Sequence, residues 1–452
     1  MRDYLVVGAG PTGLALAQCL AAAGRSVLVV DREAEIGGCH RVLRDRQGLF
    51  AEHGPRVYSS GFATFRHVLR LAGLDFGAYF APYPFSFSRL GPYSASVLGP
   101  VALLRLAGAL LASTVAPVGR DTSMAEWARG LRPEARDYVA RLCRMIEGAG
   151  PERFTLHEFL QAISQNFGRE LYQPSLPTDV GLFRDWRAAL EATGLVRFRL
   201  GCSVARAAPG RVETLSGRVL RARRVVLAVP PAGLARLGLA PPGWAAATAY
   251  DTYLSATFHW RRRLALPARW GGYPATDWGV GFVVASDYTR MGDPRSRTVI
   301  SAAATMLDAR SRATGRTAGE CGADEVLAEM LRQLRETLPG LPDPDAALLS
   351  PALSRADGRW RDRDSAFLRV PGRGFAPWRL ADGLYTAGTH TGFSPYGITS
   401  IESAVCNGVE VARRMEPGLP APYRTVRAFT LVDGLRLALL ALLAALLARV
   451  LV

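Results

Sequence analysis

Lysine is missing from this sequence, so all 55 basic side chains are arginine. Its absence excludes Schiff-base chemistry and any lysine general base. Arginine used throughout in its place is the mark of a GC-rich genome. The formal charge of +16 suits an anionic partner such as a membrane or nucleic acid. The arginines are scattered, with no basic block and no nucleic-acid motif, so no nucleic-acid partner is expected. Cysteine is scarce and unpaired in pattern: Cys19, Cys39, Cys143, Cys202, Cys321 and Cys406 form no C-x-x-C pair. Their spacing suggests neither a metal site nor a disulfide framework, and free buried thiols in a reducing compartment are expected. Internal repeats are lacking, and low complexity is confined to the tail. No cleavable leader is expected either, because the first apolar run, Tyr4 to Val7, leads straight into a glycine turn.

What is present is enough apolar sequence for a folded protein of two or three domains, at 452 residues and 49% hydrophobic. Residues 4 to 31 read as strand, turn, helix, strand: "YLVV", "GAGPTG", "LALAQCLAAAG" closed by Gly24, and "SVLVVD". Residues 61 to 175 read as mostly helical. The pattern then returns to α/β, with "LFRDWRAALEATG" as a helix, "VRFRLGCSVARAAP" as a strand and "RVVLAVPP" as a strand and turn. Alternation between 250 and 305 predicts further strands, and 324 to 338 predicts a helix. "GLYTAGTHTGFSPYGITSIESAVCNG", from Gly383, reads as strand, glycine-bearing loop and helix. The expected fold class is α/β: a Rossmann-like nucleotide-binding domain interleaved with a mixed-sheet and helical, α+β substrate domain.

The first glycine turn carries the chemistry of a dinucleotide site. Gly8, Gly10 and Gly13 form G-x-G-x-x-G between a strand and a helix, with Pro11 and Thr12 inside the motif. These glycines serve the tight turn, the approach to a pyrophosphate and the helix–strand contact. The helix N-terminus suits a phosphate. Asp31 follows Gly13 by 18 residues at the end of the second strand, where a carboxylate meets an adenosine ribose. Arg32 comes next, and then Gly37 and Gly38.

This D-x(5)-G-G run resembles the FAD-binding start of the flavin amine oxidase superfamily, and the segment from Gly383 resembles its C-terminal FAD-contacting segment. That superfamily includes monoamine and polyamine oxidases, protoporphyrinogen oxidase and carotenoid desaturases, with UDP-galactopyranose mutase as a remote member. The resemblance spans about residues 4 to 416. Its motifs are specific at the two ends and generic between. It implies non-covalent FAD, with the ADP half at the first corner and the ribityl chain at the second. It implies cofactor contacts at Gly54, Pro55 and Arg56, at Val204, at Gly388 and Thr389, and at Ser400 and Ile401, where a helix opens near Glu402 and Ala404. The segment "RWRDRDSAFLRVPG" from Arg359 belongs to the same resemblance. Three departures count against an amine substrate. No lysine exists to hold water at the flavin N5, Thr389 stands where relatives often carry an acid, and Ser400 and Ile401 stand where monoamine oxidases place an aromatic. Arg56, His390 and Tyr396 are the catalytic candidates, since flavin chemistry asks the protein mainly for positioning and electrostatics.

The last segment, "GLRLALLALLAALLARVLV", has an uninterrupted apolar run from Leu437 to Ala448 and apolar residues on every face. With Arg413, Arg414, Arg424 and Arg427 before it, it is expected to be a C-terminal membrane anchor on a catalytic domain facing the cytosol. Monoamine oxidases also carry such an anchor. The expected FAD domain comprises 1–75, 178–240 and 356–416. The substrate domain comprises 76–177 and 241–355, and the tail 417–452 holds a hydrophobic helix at 435–452. The expected activity is hydride removal from an apolar substrate of lipid or isoprenoid type, or from an amine, at a membrane surface. Two other readings are carried. One is a non-redox flavoenzyme like UDP-galactopyranose mutase, whose corresponding loop "EHGPRVYSS" resembles. The other is a catalytically inactive flavin-fold binding module.

Overall fold

The computed structural model describes residues 1–84, 87–148, 150–241, 243, 249–272, 276–363, 367–369, 377–396 and 399–451. The segment from Arg359 and the loop ending at Thr399 fall in part outside these residues.

Short runs of β-branched residues build the central parallel sheet. Its order is Leu384–Thr386, Val219–Leu227, Arg2–Val7, Val27–Val30 and Val196–Arg199, each parallel to its neighbour, with Arg379–Ala381 antiparallel at one edge. Alternate side chains serve opposite faces. Tyr4, Val6, Val29 and Val226 face a helical layer, while Leu5, Val7, Val225 and Leu227 face the hairpin built from residues 204–227. The register levels the carboxyl ends: Val7 pairs with Val30 and with Leu227, and Leu227 pairs with Thr386.

The stretch 196–209, expected as one strand, is two. Val196–Arg199 joins the parallel sheet and Val204–Ala208 joins the hairpin. Between them the chain turns back on Asp31, where the Cys202 N–H donates to the Asp31 carbonyl at 2.7 Å. A backbone partner outside the strand overrides local propensity here.

In the helical layer, Pro11–Ala22 lies against Ile401–Met415. Gly408 makes the approach possible, since a Cβ there would sit 2.5 Å from the Thr12 carbonyl oxygen. Thr12 Oγ1 donates to the Ala404 carbonyl at 2.9 Å. Helix Ala63–Leu71 joins them end-on. Its Thr64 and Phe65 N–H groups donate to the Glu402 carboxylate at 2.9 and 2.8 Å. Phe62, at its N-cap, supplies no side-chain acceptor, so the buried carboxylate satisfies donors that the helix cannot satisfy itself.

The other half holds a five-stranded antiparallel sheet, ordered Trp270–Gly272, Val280–Val284, Thr298–Ala304, Leu254–Trp260, Ala346–Leu349. Helix Ala323–Thr337 covers one face through Val326, Met330 and Leu334. The predicted helical region contains Phe87–Ala112, Met124–Trp127, Pro133–Glu147 and Leu156–Asn166. It also contributes Phe80–Tyr83 and Leu171–Pro174 to a small sheet with Tyr58–Ser59. The tail helix is Leu431–Leu451, beginning before the predicted 435. Among the described residues one segment, Ser94–Ala112, is long and apolar enough to cross a membrane, by length and composition.

Candidate functional site

One trough of about 890 Å³ runs along the level carboxyl ends of the parallel sheet and opens toward the antiparallel sheet. Carboxyl ends at a change of strand order are where open α/β sheets take ligands. Val7 and Thr386 are two strands apart, with Leu227 between them, or about 10 Å at ordinary strand spacing. The two glycine corners, far apart in sequence, therefore belong to one site.

Gly8, Gly10, Pro11 and Thr12 line the first corner. Gly8 has φ +110°, and a Cβ there would lie 2.2 Å from the Ala228 carbonyl oxygen, so only glycine fits. The N-terminus of helix Pro11–Ala22 faces the trough and carries partial positive charge. Gly38 lines the trough beside it, held by a hydrogen bond from the Gly37 N–H to the Ala9 carbonyl at 2.9 Å. Gly13 and Gly37 pack behind this surface and do not line it.

Asp31 is pinned by the Ala9 N–H at 2.6 Å and the Glu33 N–H at 2.9 Å. Burial raises its pKa, and these two hydrogen bonds pull it back down. Val204 lines the wall beside it with Ser203 and Leu215. The sequence reading missed a cluster around Glu33. Arg32, Arg41 and Arg363 approach its carboxylate at 3.0, 3.5 and 3.6 Å. Arg41 is buried, 5% exposed, and its Nη1 donates to the Gly38 carbonyl at 2.8 Å. An arginine three residues beyond the second glycine pair was the available signal, hidden among 55 basic residues.

The middle of the trough is the loop His53–Arg56. Gly54 lies against the antiparallel sheet, where a Cβ would meet Ser255 Oγ at 2.9 Å, and Ser255 donates to the His53 carbonyl. Pro55 lines the same stretch. Arg56 faces Cys39, its Nη1 4.0 Å from Sγ, while Gln173 holds its carbonyl. Burial raises the pKa of nearby Glu52, and Arg56 acts against that shift. His40 also lines the trough. Its pKa is well below the ordinary value because of burial, then the charges of Arg56 and His53. The middle of the trough therefore has a fixed cation and a neutral imidazole, a setting that favours an anion.

At the second corner Gly388, Thr389 and His390 line the trough. Thr386 Oγ1 donates to the Leu227 carbonyl at 3.0 Å and lies 3.0 Å from His390 Nε2. The hydroxyl proton is used, so Nε2 donates and Nδ1 is left as the acceptor nitrogen. Burial lowers the His390 pKa to about 3. The ring therefore stays neutral, positions the loop and does not serve as an acid at neutral pH. It also occupies the space over Gly388, where a Cβ would lie 2.7 Å from Nδ1. Ser400 caps helix Ile401–Met415, accepting from the Ser403 N–H at 3.1 Å. Thr399, Ser400, Ile401 and Ala404 thus bring a helix N-terminus to the trough. Tyr396 does not line it. That candidate packs in the helical cluster with Phe159 and Leu160, and burial pushes its pKa up to about 12. Expecting it to face substrate is corrected on this point: a tyrosine in a turn follows the apolar cluster nearest to it.

Beyond Arg56 the wall changes character. Tyr253, Trp270, Phe282 and Val283 from the antiparallel half, Tyr83 from the small sheet, and Met145 and Ile146 from helix Pro133–Glu147 complete it. Sequence alternation predicted the strands but not which of their residues meet the trough.

These residues fit FAD. A bare turn and a helix N-terminus suit the pyrophosphate, Asp31 suits a ribose hydroxyl, Thr389 suits the ribityl chain, and the Ser400-capped N-terminus suits the flavin's electron-rich edge.

A family model described as an NAD(P)-binding Rossmann-like domain matches residues 6–72. The chain is 38% identical over 58 residues to UDP-galactopyranose mutase of Mycoplasma pneumoniae, covering 12% of this chain and 14% of that protein. It is 34% identical over 79 residues to L-amino-acid oxidase of Echis ocellatus, covering 17% and 16%. The matched part is thus a small share of either curated relative. Putrescine oxidase, solved with putrescine bound, is similar over 92% of this chain and 98% of its own, with TM-score 0.65 and 18% identity. With both corners joined in one trough and nearly the whole chain following putrescine oxidase, this chain has the same fold as that flavoenzyme structure.

Proposed function

We propose that the chain is an FAD-dependent oxidoreductase that takes a hydride from an apolar substrate of lipid or isoprenoid type. One observation carries this reading: a single trough is lined both by the glycine corners with Asp31 and by the aromatic and aliphatic side chains Tyr83, Tyr253, Trp270 and Phe282, with Arg56 among its lining residues. FAD, when bound, supplies the hydride acceptor. The chain's own residues bind, orient and exclude water. Asp31 and the first helix N-terminus hold the adenosine end, and His390 fixes the loop that carries Thr389. Arg56 and the N-terminus of helix Ile401–Met415 hold negative charge where it grows. Tyr253, Trp270 and Phe282 give the substrate a dry wall.

An amine substrate is the less favoured form of the same activity. The position at the start of helix Ile401–Met415 is taken by Ser400, whose hydroxyl caps that helix, and by Ile401, which is buried. Neither can frame an amine. The purified protein is expected to show flavin absorbance that bleaches anaerobically with an apolar hydride donor and not with simple amines. Protein that binds no flavin under any preparation would overturn the reading. The short match to UDP-galactopyranose mutase and the lining arginines Arg41 and Arg56 favour a non-redox flavoenzyme as second reading. Turnover only after prior reduction of the flavin, with no net reductant consumed, would select it.

A further inference from the structure

Two helices that the trough does not use present apolar side chains outward. The stretch Ser94–Ala112 is apolar enough to enter a bilayer and only 17% buried. Val101, Leu104 and Leu111 are 67%, 72% and 47% exposed and recur on one face. A water-facing helix puts its charges there and turns such side chains inward. The one charge in the run, Arg105, folds back instead: its Nη2 donates to the Trp127 carbonyl at 2.6 Å. The tail helix Leu431–Leu451 does the same, with Leu437, Leu440 and Leu443 each more than half exposed. The two helices belong to one surface. Arg436 Nε in the tail donates to the Thr114 carbonyl at 2.7 Å, just past the end of the first helix.

The geometry excludes a span by the first helix. Gly99, at φ +76° and ψ 169°, interrupts it. The remaining Pro100–Ala112 is about 20 Å long at 1.5 Å per residue, short of the roughly 30 Å of a hydrocarbon core. Such a segment seats in one leaflet. Exposed arginines flank these helices along the chain. Arg132 donates to the Val97 carbonyl at 3.1 Å, and Arg120 and Arg129 follow the apolar stretch. Arg424 and Arg427 precede the tail, Arg427 pairing with Asp433 at 2.8 Å. An apolar face flanked by arginines complements an anionic lipid surface.

We propose that Pro100–Ala112 and the tail helix together form a platform that seats in one leaflet of an anionic bilayer. Helix Leu156–Asn166 links platform to site. Ser164 Oγ accepts from the Val432 N–H at 3.0 Å at the base of the tail, and Asn166 lines the trough. A lipid-borne substrate therefore has a short path from bilayer to cavity. That last step rests on the apolar-substrate reading; the seating does not.

The test uses full-length protein and vesicles of phosphatidylcholine with or without phosphatidylglycerol, read by co-sedimentation of protein mass. Wild type is expected to bind the phosphatidylglycerol vesicles more tightly, with binding weakened by salt. V101D/L104D/L111D and, separately, L437D/L440D/L443D are each expected to lower the vesicle-bound fraction about tenfold or more while keeping wild-type melting temperature and flavin content. If the first triple variant fails to fold, V101Q/L104Q/L111Q gives the same reading. Loss of binding by the tail variant alone overturns the platform and leaves a simple anchor. A change from dimer to monomer with vesicle binding intact also overturns it and makes the face a contact between copies. Binding is read independently of flavin, so failure here and failure of the oxidoreductase reading stay distinct.

Discussion

At the scale of single residues, His390 shows how burial sets a role. Its folded pKa of about 3 lies below the ordinary 6.5. Between those values the unfolded chain binds a proton that the folded chain does not, so stability falls as pH falls through this window and is fully present above it. One proton of difference changes the folding constant about tenfold per pH unit. His390→Asn is expected to flatten the acid limb of the stability curve by close to that slope, measured by urea unfolding at stepped pH. Gly388→Ala tests the neighbouring contact. The backbone there is extended, at φ 160°, so the added methyl meets the imidazole without backbone strain. A cost of about 1–3 kcal/mol is expected, with reduced flavin occupancy by absorbance. The same substitution at an exposed turn such as Gly217, which has no neighbour within 4 Å, is expected to leave flavin content unchanged.

At the scale of elements, helix Ile401–Met415 joins cofactor site and scaffold. Its Ser400 end faces the trough, its Glu402 caps a second helix and its Gly408 admits a third. Glu402→Ala leaves the Thr64 and Phe65 N–H groups buried without their acceptor. A loss of about 1–3 kcal/mol is expected, read as a lower melting temperature, with Glu402→Gln recovering part of it. The helix itself was legible from its apolar spacing, and so was the strand–glycine–helix shape around it. The job of Glu402 was not legible. It depends on where helix Ala63–Leu71 arrives, more than 330 residues away in sequence.

At the scale of the whole molecule, the trough is held open by segments from both ends and the middle of the chain. A ligand that touches Asp31, Gly54 and Thr389 together binds the folded state and not the unfolded one. FAD at 100 times its dissociation constant is therefore expected to add about 2.7 kcal/mol, seen as a higher melting temperature than that of flavin-stripped protein. Asp31→Ala is expected to remove most of that increment, and also to lower the stability of the stripped protein by about 1–3 kcal/mol, because the Ala9 and Glu33 N–H groups lose their carboxylate acceptor.

The sequence by itself determined the two glycine corners, the strand and helix that flank each, and the chemistry of Asp31, because these rest on backbone sterics and local hydrogen bonding. It also determined that no lysine acts anywhere. Only the tertiary structure decided that Val7, Leu227 and Thr386 stand level, which merges the corners into one site. It decided that Tyr396 packs away from the trough while Arg41 is buried beside it, and that Ser94–Ala112 and the tail share one apolar surface. These are contacts between residues far apart in the chain. They follow from strand register and helix docking, which no local pattern encodes.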